Sequence, residues 1–422
     1  MLEFLRTIWK SRDLRGKILF TLAVFILIRL LAHIPLPQID KSQLNNFLNQ
    51  SQNQVFGVLS LFTGGSLSKL SIDLMGVGPY ITASIVVQLL TKAIPTWDNL
   101  SKEGTAGQEK LNQYTRYLTV PLAIVQGYGT IALLKSQNVL TLATTSDIIK
   151  ILITVTAVSI FVMWLGELIS ERGIGNGISL IIGLGIVTGL PQQISNTAAA
   201  LQGGSITPAI ILIALLLLTI IVIVVVNEAE RKIPITYSRR AVGSSNTVDS
   251  YLPIRVNTAG VIPIIFALSF LTFPVIIARF FTTAHSAWVV HLANKISSFN
   301  SNTWPYGVTY FLLVFIFTFF YTYIVFQPDQ IAENLQKQAS FIPGVRPGQE
   351  TTKFLRYIIT RVTTIGAFFL GVIAILPLII QQGINLPTVV LGGTSILILV
   401  SVVIDTSRQL MSQIVMRRYD TL

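Results

Sequence analysis

The chain has 422 residues, of which 52% are hydrophobic and only 11% charged, with 30 lysines and arginines against 18 acidic residues. A soluble domain carries about 25% charged residues, so a deficit sustained over this length excludes a wholly water-solvated architecture and makes lipid the main solvent. The absence of cysteine excludes disulfides, thiol nucleophiles and cysteine-ligated metal, while a net charge of +12 fits nucleic acid or anionic lipid until its placement is known.

In chain order, long apolar runs predict ten membrane-spanning helices near residues 16–34, 75–91, 111–134, 148–169, 177–200, 207–226, 258–281, 305–326, 353–380 and 387–407. Each is close to the ~20 residues a helix needs to cross ~30 Å of hydrocarbon. The first reads as a retained anchor: its apolar core is longer than that of a cleaved signal, and "HIPLPQID" offers no small-residue cleavage site. Between the first two spans, "VFGVLSLFTGGSLSKL" (55–70) is apolar but broken at Thr63-Gly64-Gly65-Ser66 and charged at Lys69. Too short to span, it is either a re-entrant piece inside a protein-lined cavity or an amphipathic helix on the outer surface.

Basic residues set the orientation. Arg6, Lys10, Arg12, Arg15 and Lys17 precede the first span; Arg231, Lys232, Arg239, Arg240 and Arg255 follow the sixth; Lys337, Arg346, Lys353, Arg356 and Arg361 follow the eighth; Arg408, Arg417 and Arg418 end the chain. Ten spans put all four groups on one side, so the positive-inside rule predicts cytoplasmic termini and cytoplasmic loops at 227–256 and 327–354. The positive charge then faces a cytoplasmic partner or anionic headgroups.

Motifs for ordinary enzymatic chemistry are missing. "RGIGNG" (172–177) lacks GxGxxG spacing and a preceding strand, and no Walker A sequence occurs. His33, His285 and His291 lie near or in outer loops without HExxH spacing, so no metal or cofactor site is expected. Glu167 and Glu171, one helical turn apart at the cytoplasmic end of a span, read as a solvated face rather than as proton carriers. "FIPGVRPGQET" (341–351) is different: Pro343-Gly344 and Pro347-Gly348 place two turns around Arg346 and hold it at a tip, either a solvated turn or a contact point.

The segments "GVGPYITASIVVQLL" (76–90), "EGTAGQEKLNQYTRY" (103–117), "MWLGELISERGIGNGISLIIGLGIVTGLP" (163–191), "RKIPITYSRR" (231–240), "LPIRVNTAGVIPIIFA" (252–267), "FIPGVRPGQET" and "GGTSILILV" (392–400) together resemble the bacterial SecY family, channel subunits of the Sec protein translocase. The match runs in order from the first span to the last. One departure is Asp73 in "SIDLMG", where the family usually has an apolar residue.

The resemblance implies an all-α membrane fold of two inverted five-helix halves, 1–200 and 201–422, around an hourglass pore with a re-entrant plug. It implies a plug near 56–70 with Phe56, Gly57, Leu61, Phe62, Gly64, Gly65, Leu67 and Leu70, and a constriction ring of Val77, Ile81, Ile178, Ile182, Ile265 and Ile398. The pairs 77/81 and 178/182 are spaced to share a helix face, which ordinary packing would also produce. A lateral gate is implied between the second span, with Thr82 and Gln88, and the seventh, with Asn257 and Phe273. Arg346, Gly344, Pro347, Arg239 and Arg240 are implied to dock the SecA motor ATPase or the ribosome.

The implied activity is passage of unfolded secretory polypeptides across the cytoplasmic membrane, with lateral release of transmembrane segments. The implied partners are SecE and SecG-like small subunits, signal sequences and anionic lipids. Two other functions share these features. An accessory SecY paralogue would serve a subset of exported proteins and be separated by what co-purifies with it. A secondary solute transporter would carry charges at the membrane midplane, where this chain's clearest mid-span charge is Arg29, near the outer end of its helix.

Overall fold

An apolar run in lipid has no water to satisfy its backbone, so it closes its hydrogen bonds internally as a helix. The computed structural model describes residues 11–36, 70–136, 145–201, 207–237, 250–280, 287–297, 304–384 and 393–420. Its first half contains α1 (Arg12–Leu31), α2 (Gly78–Ala93), the short α3 (Pro95–Lys102), α4 (Thr105–Ser136), α5 (Thr145–Arg172) and α6 (Gly177–Leu201). After α7 (Thr207–Glu228) come the strands β1 (Glu230–Tyr237) and β2 (Ser250–Arg255), then α8 (Ile262–Phe280), α9 (Ala287–Ser297), α10 (Trp304–Val325) and α11 (Pro328–Lys337). The two-residue β3 (Ser340–Phe341) precedes α12 (Gln349–Ile384) and α13 (Gly393–Asp420).

Every predicted span falls on a helix. The regions Thr145–Arg172, Trp304–Lys337, Gln349–Ile380 and Thr394–Met416 have the length and composition to cross a membrane, and Gly177–Pro191, Ile213–Glu228 and Ile262–Val275 are shorter apolar helices. Several helices overrun their predicted spans: α4 begins at Thr105 and α12 at Gln349, ahead of the apolar runs that define them. A helix that has left the hydrocarbon no longer needs apolar side chains, so hydropathy underestimates its length. Pro121, Pro191, Pro274 and Pro377 lie inside α4, α6, α8 and α12, as lipid-embedded helices tolerate.

The glycine-rich stretch after α5 is a tight helix–helix turn. Asn176 Oδ1 accepts from the Ser179 amide at 3.1 Å, capping α6. A Cβ on Gly177 would collide with the Gly166 carbonyl, so only glycine lets the two helices approach this closely. Glu167 departs from expectation. Its side chain is largely shielded and pairs with Arg116 Nε at 2.8 Å, joining α4 to α5 instead of forming a solvated face.

The segment 227–256, expected as a basic loop, contains a β-hairpin. β1 pairs antiparallel with β2, Ile233 opposite Leu252, and with β3, Thr236 opposite Phe341, giving the order β2-β1-β3. Ile233 and Ile235 are buried while Lys232 and Pro234 are exposed, a period-two alternation inside "RKIPIT" that marks a strand. From the buried face, Ile233 joins Ile254, Ile342, Leu355 and Ile359 in a small hydrophobic cluster between the sheet and the start of α12.

Helices α1 to α6 pack chiefly among themselves, as do α7 to α13; α6 on α13, and α8 on α2 and α4, are seams between the two groups. A large hydrophobic cluster draws on both groups. A second cluster gathers Leu36, Leu70, Leu74 and Met75 against Ile131, Leu134, Ile151 and Val155.

Candidate functional site

The large cluster contains five of the six expected ring residues, and the sixth packs against it. Val77 and Ile81 enter it from the start of α2, Ile182 from α6, Ile265 from α8 and Ile398 from α13, all buried. Ile178, half-buried, packs against them. Four stretches far apart in sequence therefore meet in one buried, largely apolar region at the seams between the two helix groups. Burial alone does not separate these six from other members such as Val162 and Ile169. What these six side chains can do chemically is exclude water while themselves presenting no polar group that would grip a passing chain.

Beside it runs the seam of α8 against α2 and α4. The Thr82 hydroxyl donates to the Gly78 carbonyl at 3.1 Å and accepts from Gln126 Nε2 at 3.1 Å. Gln126, a buried residue of α4, was not identified from the sequence, although an amide in the middle of "LAIVQGYGTIALL" is the signal that marks it. Gln88 donates from Nε2 to Ser84 Oγ at 3.0 Å, one turn earlier on α2, and its Oε1 is buried without a hydrogen-bond partner among the described residues. Phe273 is half-buried on α8. Asn257 sits in the turn before α8 and is buried, bonded to Asn227 at the end of α7. On another side of α8, Phe266 meets Phe317 and Tyr321, and Phe270 meets Phe317, all edge-on, which fixes α8 to α10.

The finger stands on the third cluster. Ile342, at its base, is buried, and Val345 amide to Ile342 carbonyl, 3.1 Å, closes the first turn. Gly344 at φ +81° and Gly348 at φ +97° take left-handed conformations that other residues resist, so both Pro-Gly turns form as expected. Thr351 Oγ1 donates to the Arg346 carbonyl at 2.9 Å, fixing the tip to α12. Arg346 and Pro347 are exposed. Nearby charges are matched internally: Arg356 with Asp329 at 3.6 Å, Lys353 with Glu350 at 2.9 Å, and Arg361 over the Tyr357 ring at 4.3 Å. Arg346 makes no ion pair among the described residues. Arg239 and Arg240 lie outside the described residues.

Of the expected plug residues, Phe56, Gly57, Leu61, Phe62, Gly64, Gly65 and Leu67 also lie outside the described residues. Leu70 is described, and it is an anchor. It is buried at φ +43°, and its carbonyl accepts from the Leu36 amide at 2.9 Å while the Ile72 amide donates to Ile34 at 2.9 Å. This short antiparallel clamp ties the end of the first span to the entry of α2. Asp73, next to it, is buried and lies in the field of Arg29 on α1.

A family model described as SecY matches residues 71–407. The protein translocase subunit SecY of Corynebacterium glutamicum is 40% identical, covering 98% of this chain and 98% of that protein. The protein of the same description from Aquifex aeolicus is 40% identical over 99% of each. Among solved structures, a protein-conducting channel aligns with TM-score 0.65 at 18% identity over 96% of this chain and 93% of its own. Sec61 in a canine ribosome–channel complex from the endoplasmic reticulum aligns with TM-score 0.63 at 18% identity over the same shares, 96% and 93%. At that identity the structural likeness speaks for the fold.

Proposed function

The chain belongs to the SecY family, and on that premise we propose how it acts as the protein-conducting channel of a membrane-bound translocase. Unfolded secretory polypeptides pass through the aliphatic collar of Val77, Ile81, Ile178, Ile182, Ile265 and Ile398, and transmembrane segments leave sideways between α2 and α8. The observation that carries this reading is the convergence of these side chains from four separate segments, five in one buried cluster and Ile178 packed against it. An all-aliphatic collar dewets when empty and closes around a moving chain of any sequence, since it offers apolar contact and no fixed hydrogen-bond pattern.

Opening of the seam draws on the cargo. A signal of ~7–15 apolar residues gains about 0.8 kcal/mol per methylene on entering lipid, enough to offset separation of α8 from α2. Driving force comes from outside the chain, from the SecA ATPase or a translating ribosome docked on the side of Arg346. The arginine, held at a turn-fixed tip and in no ion pair among the described residues, suits bidentate contact with a carboxylate, backbone carbonyls or ribosomal RNA phosphate. SecE and SecG-like subunits complete the complex. Both termini and this docking face lie in the cytoplasm, where anionic lipids complement the basic flanks.

The test is reconstitution of the chain with its small subunits in vesicles, supplied with SecA, ATP and a signal-bearing precursor. Protease-protected precursor inside the vesicles is expected. Its absence, with correctly inserted complex and active motor, would overturn the reading.

A further inference from the structure

Where α7 ends and the turn into α8 begins, three polar side chains form a buried relay. Asn257 Nδ2 donates to Asn227 Oδ1 at 2.6 Å, and Asn227 Nδ2 donates onward to Ser401 Oγ on α13 at 2.9 Å. Their exposures are 7%, 7% and 4%. The backbone around them is fastened too. Arg408 Nη2 donates to the Asn227 carbonyl at 3.1 Å and pairs with Glu228 at 2.7 Å, and the Val256 amide donates to the Ala229 carbonyl at 2.9 Å. Asn257 Oδ1 is buried with no hydrogen-bond partner among the described residues, so this amide's hold depends on its single bond to Asn227.

The relay attaches the start of α8 to α7 and α13, while the body of α8 packs along the seam with α2 and α4. Besides its packing on α10 and along the seam, the gate helix is thus held at its start through Asn227, by a hydrogen bond in a low-dielectric setting where breaking it strands buried polar groups. We propose that Asn227 is a positioning residue of the gate. By bridging Asn257 to Ser401 it opposes displacement of the start of α8, and so raises the apolar content a signal needs to open the seam. This inference rests on the channel reading above.

The size of the effect follows from one net hydrogen bond. Its loss shifts the ratio of open to closed gate by on the order of fivefold. The same shift corresponds to about one to two methylenes of signal buried in lipid. Signals near the threshold feel it, and strongly apolar signals, which already open the gate fully, do not.

The experiment uses the reconstituted complex and a series of precursors whose signals exchange leucine for alanine one position at a time. Asn227→Ala is expected to raise export of the weakest signals roughly fivefold with little change for the strongest, and Ser401→Ala to do so more weakly. Combining Asn227→Ala with Asn257→Ala should add nothing for weak signals, since both remove the same bond. An unchanged ratio of weak to strong export, a uniform fall for all signals from inserted protein, or additive single effects each overturns the proposal. If Asn227→Ala does not insert, Ser401→Ala decides by the same ratio. An unaltered complex that exports no precursor at all overturns the channel reading, and this inference with it.

Discussion

Ile182 and Ile398 provide the sharpest test of the collar. They are 3% and 1% exposed within the same cluster. Replacing either by asparagine removes most of a buried aliphatic side chain, about 2 kcal/mol, and strands an amide with no partner, a further ~1–3 kcal/mol. At about 1.4 kcal/mol per factor of ten, the sum of ~3–5 kcal/mol favours a hydrated collar by roughly two to four orders of magnitude. Conductance of the resting complex in planar bilayers reads this directly, and both variants should leak ions while still exporting precursor. Ile169→Asn is the control: Ile169 is 0% exposed in the same cluster but outside the expected ring, so it should lower stability without opening an ion path. Wild-type conductance in both collar variants, or equal leakage from the control, would refute the assignment.

Arg346→Glu should leave folding intact, because an exposed charge shifts stability by no more than about 0.5 kcal/mol, yet abolish SecA-driven export; undiminished ATP-dependent export would remove Arg346 from the docking surface. With no native cysteine in the chain, Thr82→Cys combined with Phe273→Cys should give a single disulfide under mild oxidation, stopping export until it is reduced. Full crosslinking with unchanged export would show that cargo does not need this seam to part. Gly177→Ala should lower the melting temperature of the purified complex, since its Cβ meets the Gly166 carbonyl and overpacking costs about 1–3 kcal/mol. A melting temperature equal to wild type would mean that the α5–α6 turn opens freely.

Much of this molecule is legible in one dimension because lipid imposes a local rule. An apolar stretch must satisfy its own backbone, so each span announces itself by length and composition, and all ten predicted spans carry helices. The Pro-Gly turns around Arg346 are equally local, since φ preferences belong to single residues. The family motifs named the six ring residues, but their meeting in one cluster depends on packing between helices distant in the chain. The third strand is not legible because β3 lies on a separate loop from β1, and the hairpin is not because a basic segment gives hydropathy nothing to detect beyond the brief alternation at Ile233 and Ile235. Glu167 looked solvated until α4 brought Arg116 beside it. Asn227 and Ser401 look like incidental polar residues in apolar helices. Only folding places them 2.9 Å apart with Asn257 alongside, because a side-chain amide has no preferred partner until the surrounding helices have excluded water.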